Sequence, residues 1–148
     1  MYSGSYAVTM DAKGRLAIPV RFREQLQAEH LSRLVVTVHH EDSCLLIYTE
    51  PQWQILAPQI QALPNIKSTS VRRLQRLMIG NASVQELDAN GRIMVPPTLR
   101  DLAALTKDLV VAGVGHRFEI WNEADWNALM NGGDEADELP PAALELNI

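Results

Sequence analysis

A mainly β fold with short peripheral helices is predicted, in which two tandem copies of one unit interleave around a pseudo-twofold axis and close a small barrel. Three observations carry that prediction. DAKGRLAIP at 11–19 returns as DANGRIMVP at 88–96, and over 11–23 and 88–100 six of thirteen positions are identical (Asp, Ala, Gly, Arg, Pro and Arg). The likeness continues downstream, LVVTV at 34–38 matching LVVAG at 109–113 and LLIYTEPQW at 45–53 matching FEIWNEADW at 118–126. Finally, each copy is only about 50 residues, too few to bury a good core alone, and its apolar strand edges need a second copy to cover them.

The elements follow in order within each copy. A β-rich run, SYAVTM or ASVQELD, meets a tight turn and then a short apolar strand, RLAI or RIMV. In the turn, Gly14 or Gly91 supplies a positive φ, and the side chain of Asp11 or Asp88 bonds forward to the backbone. Pro19 and Pro96 suit a first helical turn, so VRFREQL and PTLRDLA are read as short helices. Two hairpins come next, 33–39 with 44–48 and 108–113 with 117–121. A closing helix starts near Pro51 or Glu123, with Trp53 or Trp126 on its apolar side. Pro58 falls inside the first of these and is expected to kink or shorten it. Between the copies, Val71, Leu74 and Met78 at i, i+3 and i+7 predict an amphipathic helix whose other side shows Arg72, Arg73 and Arg76. The chain thus divides into a first repeat (1–64), a linking basic helix (65–80), a second repeat (81–130) and a breaker-rich, acidic, mobile tail (131–148).

Charge is segregated along the chain. The formal net charge is −5, yet Asp134, Glu135, Asp137, Glu138 and Glu145 in the tail, which has no base, account for all of it. Residues 1–23 carry Lys13, Arg15, Arg21 and Arg23 against Asp11, and residues 51–85 carry Lys67, Arg72, Arg73 and Arg76 with no acid. An acidic whole chain therefore leaves a nucleic-acid partner open. The longest apolar runs are far too short to span a bilayer, and no signal segment opens the sequence. With Cys44 alone, no intrachain disulfide forms and a cytoplasmic location is expected.

The stretches YAVTMDAKGRLAIPVRFR, DANGRIMVPPTLR and RRLQRLMIGNA resemble the MraZ family, bacterial transcriptional regulators of the division and cell-wall gene cluster. One D-x-x-x-R turn alone would indicate only the broader AbrB/SpoVT/MazE group of swapped-hairpin barrels. The resemblance covers about residues 1–130. It implies a double-split, swapped-hairpin β-barrel, binding to double-stranded DNA at promoter repeats upstream of its own operon, a ring-shaped homo-oligomer, and a cytoplasmic, nucleoid-associated location. Pro58 and the short acidic tail depart from the family pattern.

For D-x-x-x-R two readings stand side by side. In one, Asp11 and Asp88 only cap their turns and Arg15 and Arg92 pair with them. In the other, Asp11, Gly14, Asp88 and Gly91 are the turn scaffold, while Arg15 and Arg92, with Lys13 and Arg21 nearby, project from one face toward DNA. Arginine suits that task because its fork grips phosphate or the guanine edge bidentately. The first copy has Lys13 and Arg21 where the second has Asn90 and Thr98, so it is expected to supply more phosphate attraction. Arg23 and Arg100 recur after the helix starts and suit a structural salt bridge at least as well. Arg72, Arg73 and Arg76 are read as a solvated face or a subunit contact ahead of a DNA-backbone contact.

HHEDSC at 39–44 is a poor metal or nucleophile site, since adjacent His39 and His40 on a strand point to opposite faces and no second cluster completes a zinc set. His116 is a lone loop residue. Tyr48, Trp53, Trp121 and Trp126 recur at equivalent places and read as packing residues. No catalytic constellation, cofactor fingerprint or small-molecule substrate motif is found. The expected function is therefore a sequence-specific DNA-binding regulator, a repressor acting by occlusion, rather than an enzyme. The alternative is an antitoxin-like protein-interaction module using Leu139, Leu144, Leu146 and Ile148 of the tail.

Overall fold

The computed structural model describes residues 1–132 and 138–148; the remainder of the acidic stretch, 133–137, lies outside the described residues. The first copy forms β1 (Tyr2–Thr9), β2 (Arg15–Ala17), α1 (Val20–Ala28), β3 (Arg33–Val38), β4 (Leu45–Thr49) and α2 (Glu50–Gln61). After α3 (Thr69–Met78), the second repeats the order with β5 (Ser83–Glu86), β6 (Arg92–Met94), α4 (Pro97–Leu102), β7 (Asp108–Gly115), β8 (Arg117–Asn122) and α5 (Glu123–Met130). A four-residue helix, α6 (Pro141–Leu144), lies in the tail.

The strand pairing exchanges elements between the copies. Six strands form an antiparallel sheet in the order β1-β7-β8-β4-β3-β5, and β2 pairs with β6 in a separate ribbon. Swapping β1 with β5, β3 with β7 and β4 with β8 maps the sheet onto itself, which is a pseudo-twofold. The first copy's β1 runs beside the second copy's β7, and the second copy's β5 runs beside the first copy's β3. The hairpins β3–β4 and β7–β8 meet where β4 pairs β8, with Leu46 opposite Glu119. The expected doubled fold of antiparallel strands with short helices holds, although helix and strand are mixed in near-equal measure rather than the fold being mainly β. Its hydrogen bonds fall in a sheet and a ribbon, joined by the Met10–Leu16 bridge.

Both faces of the sheet are covered. On one face Leu34, Val36, Leu45, Ile47, Phe118 and Ile120 pack with Leu16 and Ile93 of the ribbon and with Phe22, Leu26 and Leu99 of α1 and α4. Leu46, Tyr48 and Trp121 face the other way, beneath Trp53 and Leu56 of α2, Leu74 of α3 and Trp126 of α5. Central strands buried on both faces read as continuous apolar runs, as LLIY does. The Tyr48–Trp53 and Trp121–Trp126 ring pairs, 5.7 and 6.2 Å apart, occupy equivalent places in the two copies.

Three local expectations are corrected. Pro58 does not end α2, which continues to Gln61. Pro19 and Pro96 stand as N-cap residues, just outside the helices they precede. His39 and His40 lie past the end of β3, where the alternation of a strand no longer applies, and their rings stack 4.7 Å apart. His39 Nδ1 accepts the amide N–H groups of Glu41 and Asp42, so that imidazole organises its own turn.

Candidate nucleic-acid interface

The two D-x-x-x-R turns have the same geometry. Asp11 Oδ1 accepts the amides of Lys13 (3.0 Å) and Arg15 (2.9 Å), while Oδ2 accepts Arg15 Nε at 2.8 Å. Asp88 accepts from Asn90 (2.8 Å), from the Arg92 amide (2.9 Å) and from Arg92 Nε (2.9 Å) in the same pattern. Gly14 and Gly91 take φ of +84° and +71°, where a β-carbon is disfavoured. The amide of Arg15, above all, holds the Asp11 carboxyl below the usual carboxylate range, and that of Arg92 does the same for Asp88.

Each aspartate engages Nε, and the Nη1–Nη2 end of neither guanidinium has a hydrogen-bond partner among the described residues. That end is the fork that grips phosphate or a guanine edge. Pairing within the ribbon then sets where the two forks stand. Arg15 lies opposite Met94, Leu16 opposite Ile93, and Ala17 opposite Arg92. Leu16 and Ile93 are fully buried, so the alternation of a strand puts Arg15, Ala17, Arg92 and Met94 together on the outward face. Arg15 and Arg92 are diagonal neighbours there, a relation that separates residues by roughly 7–8 Å. A two-stranded ribbon is narrow enough to enter a major groove.

Lys13 and Arg21 are exposed, and neither has an ion-pair partner among the described residues. Arg72, by contrast, is occupied: Nη1 donates to the carbonyls of Asn65 (2.7 Å) and Ile66 (3.1 Å), closing the connection into α3. Only Arg73 and Arg76 of that set remain exposed. Arg23 and Arg100 form no ion pair among the described residues, contrary to the salt-bridge expectation; each lies against the glycine of the other copy's turn. Sequence reasoning also missed Met94 and Ala17 on the outward face. The recurrence of Arg23 as Arg100 was the one visible signal for the cross-copy contacts.

Other candidate chemistry is placed elsewhere. Cys44 is buried, and burial pushes its thiol up, away from the reactive thiolate. Among the described residues no three His, Cys, Asp or Glu side chains gather to hold a metal ion. No described helix is long and apolar enough to cross a membrane.

A strand-exchanged, internally doubled β protein with two arginine-bearing turns on one ribbon defines the class. Within that class the chain belongs to the MraZ family: residues 1–77 and 78–142 each match the family described as "MraZ protein, putative antitoxin-like". Curated relatives carry the name "Transcriptional regulator MraZ". The protein of Saccharophagus degradans is 47% identical over 148 residues, covering 100% of both chains. That of Marinobacter nauticus is also 47% identical, covering 99% of this chain and 98% of its own. A Legionella pneumophila relative is 49% identical over 128 residues, 86% of this chain and 84% of its own. The family is thus one of transcriptional regulators.

Proposed function

We propose that this protein is a sequence-specific DNA-binding regulator whose β2–β6 ribbon reads DNA through Arg15 and Arg92. The observation that carries this reading is the placement of both guanidinium forks on one exposed face, each anchored by its own aspartate. Anchoring removes the rotamer freedom that an arginine otherwise loses on binding. Lys13 and Arg21 add phosphate attraction on the first copy's side, and Asp11, Gly14, Asp88 and Gly91 hold the turns. Residues 1–64 and 81–130 act as the two halves, joined by the basic helix within 65–80. Family membership supports the wider setting: a ring-shaped homo-oligomer on the nucleoid in the cytoplasm, repressing by occlusion at spaced repeats upstream of its own operon in the division and cell-wall cluster. Several modest contacts in series then supply affinity and spacing preference.

The experiment is a binding titration of purified protein against upstream DNA of its own gene and a scrambled duplex, at two salt concentrations. Arg15→Ala is expected to abolish the preference for the upstream duplex while leaving the fold and oligomer intact. Lys13→Ala is expected to weaken binding to both duplexes alike and to reduce the salt slope by about one. Equal affinity of the wild-type protein for the two duplexes would sink the reading. That result would favour the antitoxin-like alternative, for which Leu139, Leu144, Leu146 and Ile148 all stand exposed in the tail.

A further inference from the structure

We infer that Arg23 and Arg100 are crossed positioning residues, each bracing the DNA-reading turn of the opposite copy. The inference rests on the reading of Arg15 and Arg92 given above. Arg23 leaves α1 of the first copy and lies over Gly91 of the second, where an added β-carbon would collide with Arg23 Cδ. Its Nη1 donates to the carbonyl of Asn90 at 3.2 Å, directly inside the second turn. Arg100 leaves α4 of the second copy and lies over Gly14 of the first, its Nε and Cζ 3.0 Å from where a β-carbon would stand. Backbone bonds repeat the same exchange. The Ile18 amide donates to Gly91 O at 2.9 Å, and the Val95 amide donates to Gly14 O at 2.8 Å.

Each reading turn is therefore held twice: from within by its own aspartate, and from outside by the other copy's arginine and strand. Gly91 serves both the positive φ and the approach of Arg23, while at Gly14 the Val95 carbonyl, 2.7 Å from where a β-carbon would stand, comes closer than Arg100. A lid alone would not call for this side chain. The Nε atoms of Arg23 and Arg100 are both buried with no partner among the described residues, a costly condition that an apolar side chain of similar length would avoid. What the guanidinium of Arg23 adds is a donor reaching into the opposite turn, Nη1 to the carbonyl of Asn90. A buried donor left without a partner is uncommon in folded proteins and calls for a reason. The consequence is mutual dependence: the second reader's position is set by the first copy's helix, and the reverse.

The test exploits this crossing. Amide hydrogen exchange is followed in the DNA-free full chain at Gly14 and Arg15, and at Gly91 and Arg92, whose amides bond to Asp11 and Asp88. Arg23→Ala should accelerate exchange at Gly91 and Arg92 and leave Gly14 and Arg15 near wild type; Arg100→Ala should do the opposite. Acceleration in the variant's own copy, or equally in both turns, overturns the brace. If Arg23→Ala does not fold, Arg23→Lys keeps the charge and stem but lacks Nη1, and the same crossed pattern is expected at smaller amplitude.

Binding to the upstream and scrambled duplexes then tests the link to recognition by double-mutant cycles. Arg23→Ala should lower the specific preference about tenfold in the wild-type background and change it little in an Arg92→Ala background, where the residue it positions is already gone. Full additivity of Arg23→Ala with Arg92→Ala shows that the brace does not position Arg92. Unchanged specificity in both Arg15→Ala and Arg92→Ala instead rejects those residues as readers, and the DNA-free exchange pattern still reports separately whether the crossed brace exists.

Discussion

Asp11 orders its turn with a single carboxylate: one oxygen takes two backbone amides and the other takes the Arg15 guanidinium. All three interactions favour the charged form, as the matching set does at Asp88. The folded-state pKa of each therefore lies below its unfolded value. Stabilisation from such a group is complete above the ordinary aspartate range and is lost as pH falls through the depressed folded value. Both turns should stay locked at neutral and mildly acidic pH and loosen only in stronger acid. Carboxyl carbon shifts of Asp11 and Asp88, followed by NMR, should titrate below the unperturbed aspartate value of about 3.9. Titration of either at or above that value would show that its turn is not organised by these bonds.

At the scale of elements, the ribbon converts two local turns into one surface. Three residues per strand suffice, because the central Leu16–Ile93 pair anchors the ribbon in the core and the flanking residues must then face outward. α3 is fastened differently. The buried Thr37 hydroxyl on β3 donates to the carbonyl of Met78 at 2.6 Å, satisfying an end-of-helix acceptor that the helix itself cannot. Thr37→Val removes that donor with little change of shape. It should cost about 1–3 kcal/mol for the stranded acceptor, measured by urea unfolding. A loss near zero would mean that another donor reaches Met78. Arg72 tightens the start of the same helix through Asn65 and Ile66, which explains why a basic stripe in sequence leaves only Arg73 and Arg76 free to meet a partner.

At the scale of the whole molecule, neither copy owns its fold. β1 spends its length against β7 and β5 lies against β3, while each half of the ribbon belongs to a different copy. A fragment of residues 1–80 leaves β1 and β2 without their partners and should fold only by pairing with a second fragment. Its unfolding midpoint should then rise with concentration; a cooperative, concentration-independent monomer would refute the exchange as a requirement for folding. Much of this architecture was legible in the residues. The repeat, the two hairpins, the glycine turns and the amphipathic α3 all depend on neighbours within a few positions, and those neighbours are written side by side. Tertiary structure alone decided which strands pair across the copies, that Arg15 and Arg92 become diagonal neighbours across one ribbon although 77 residues separate them, and that Arg23 and Arg100 reach across to the opposite turn. Those choices belong to no local stretch. They follow from burying the apolar faces of both copies together, and an arginine's role is settled only when that burial brings its distant partner beside it.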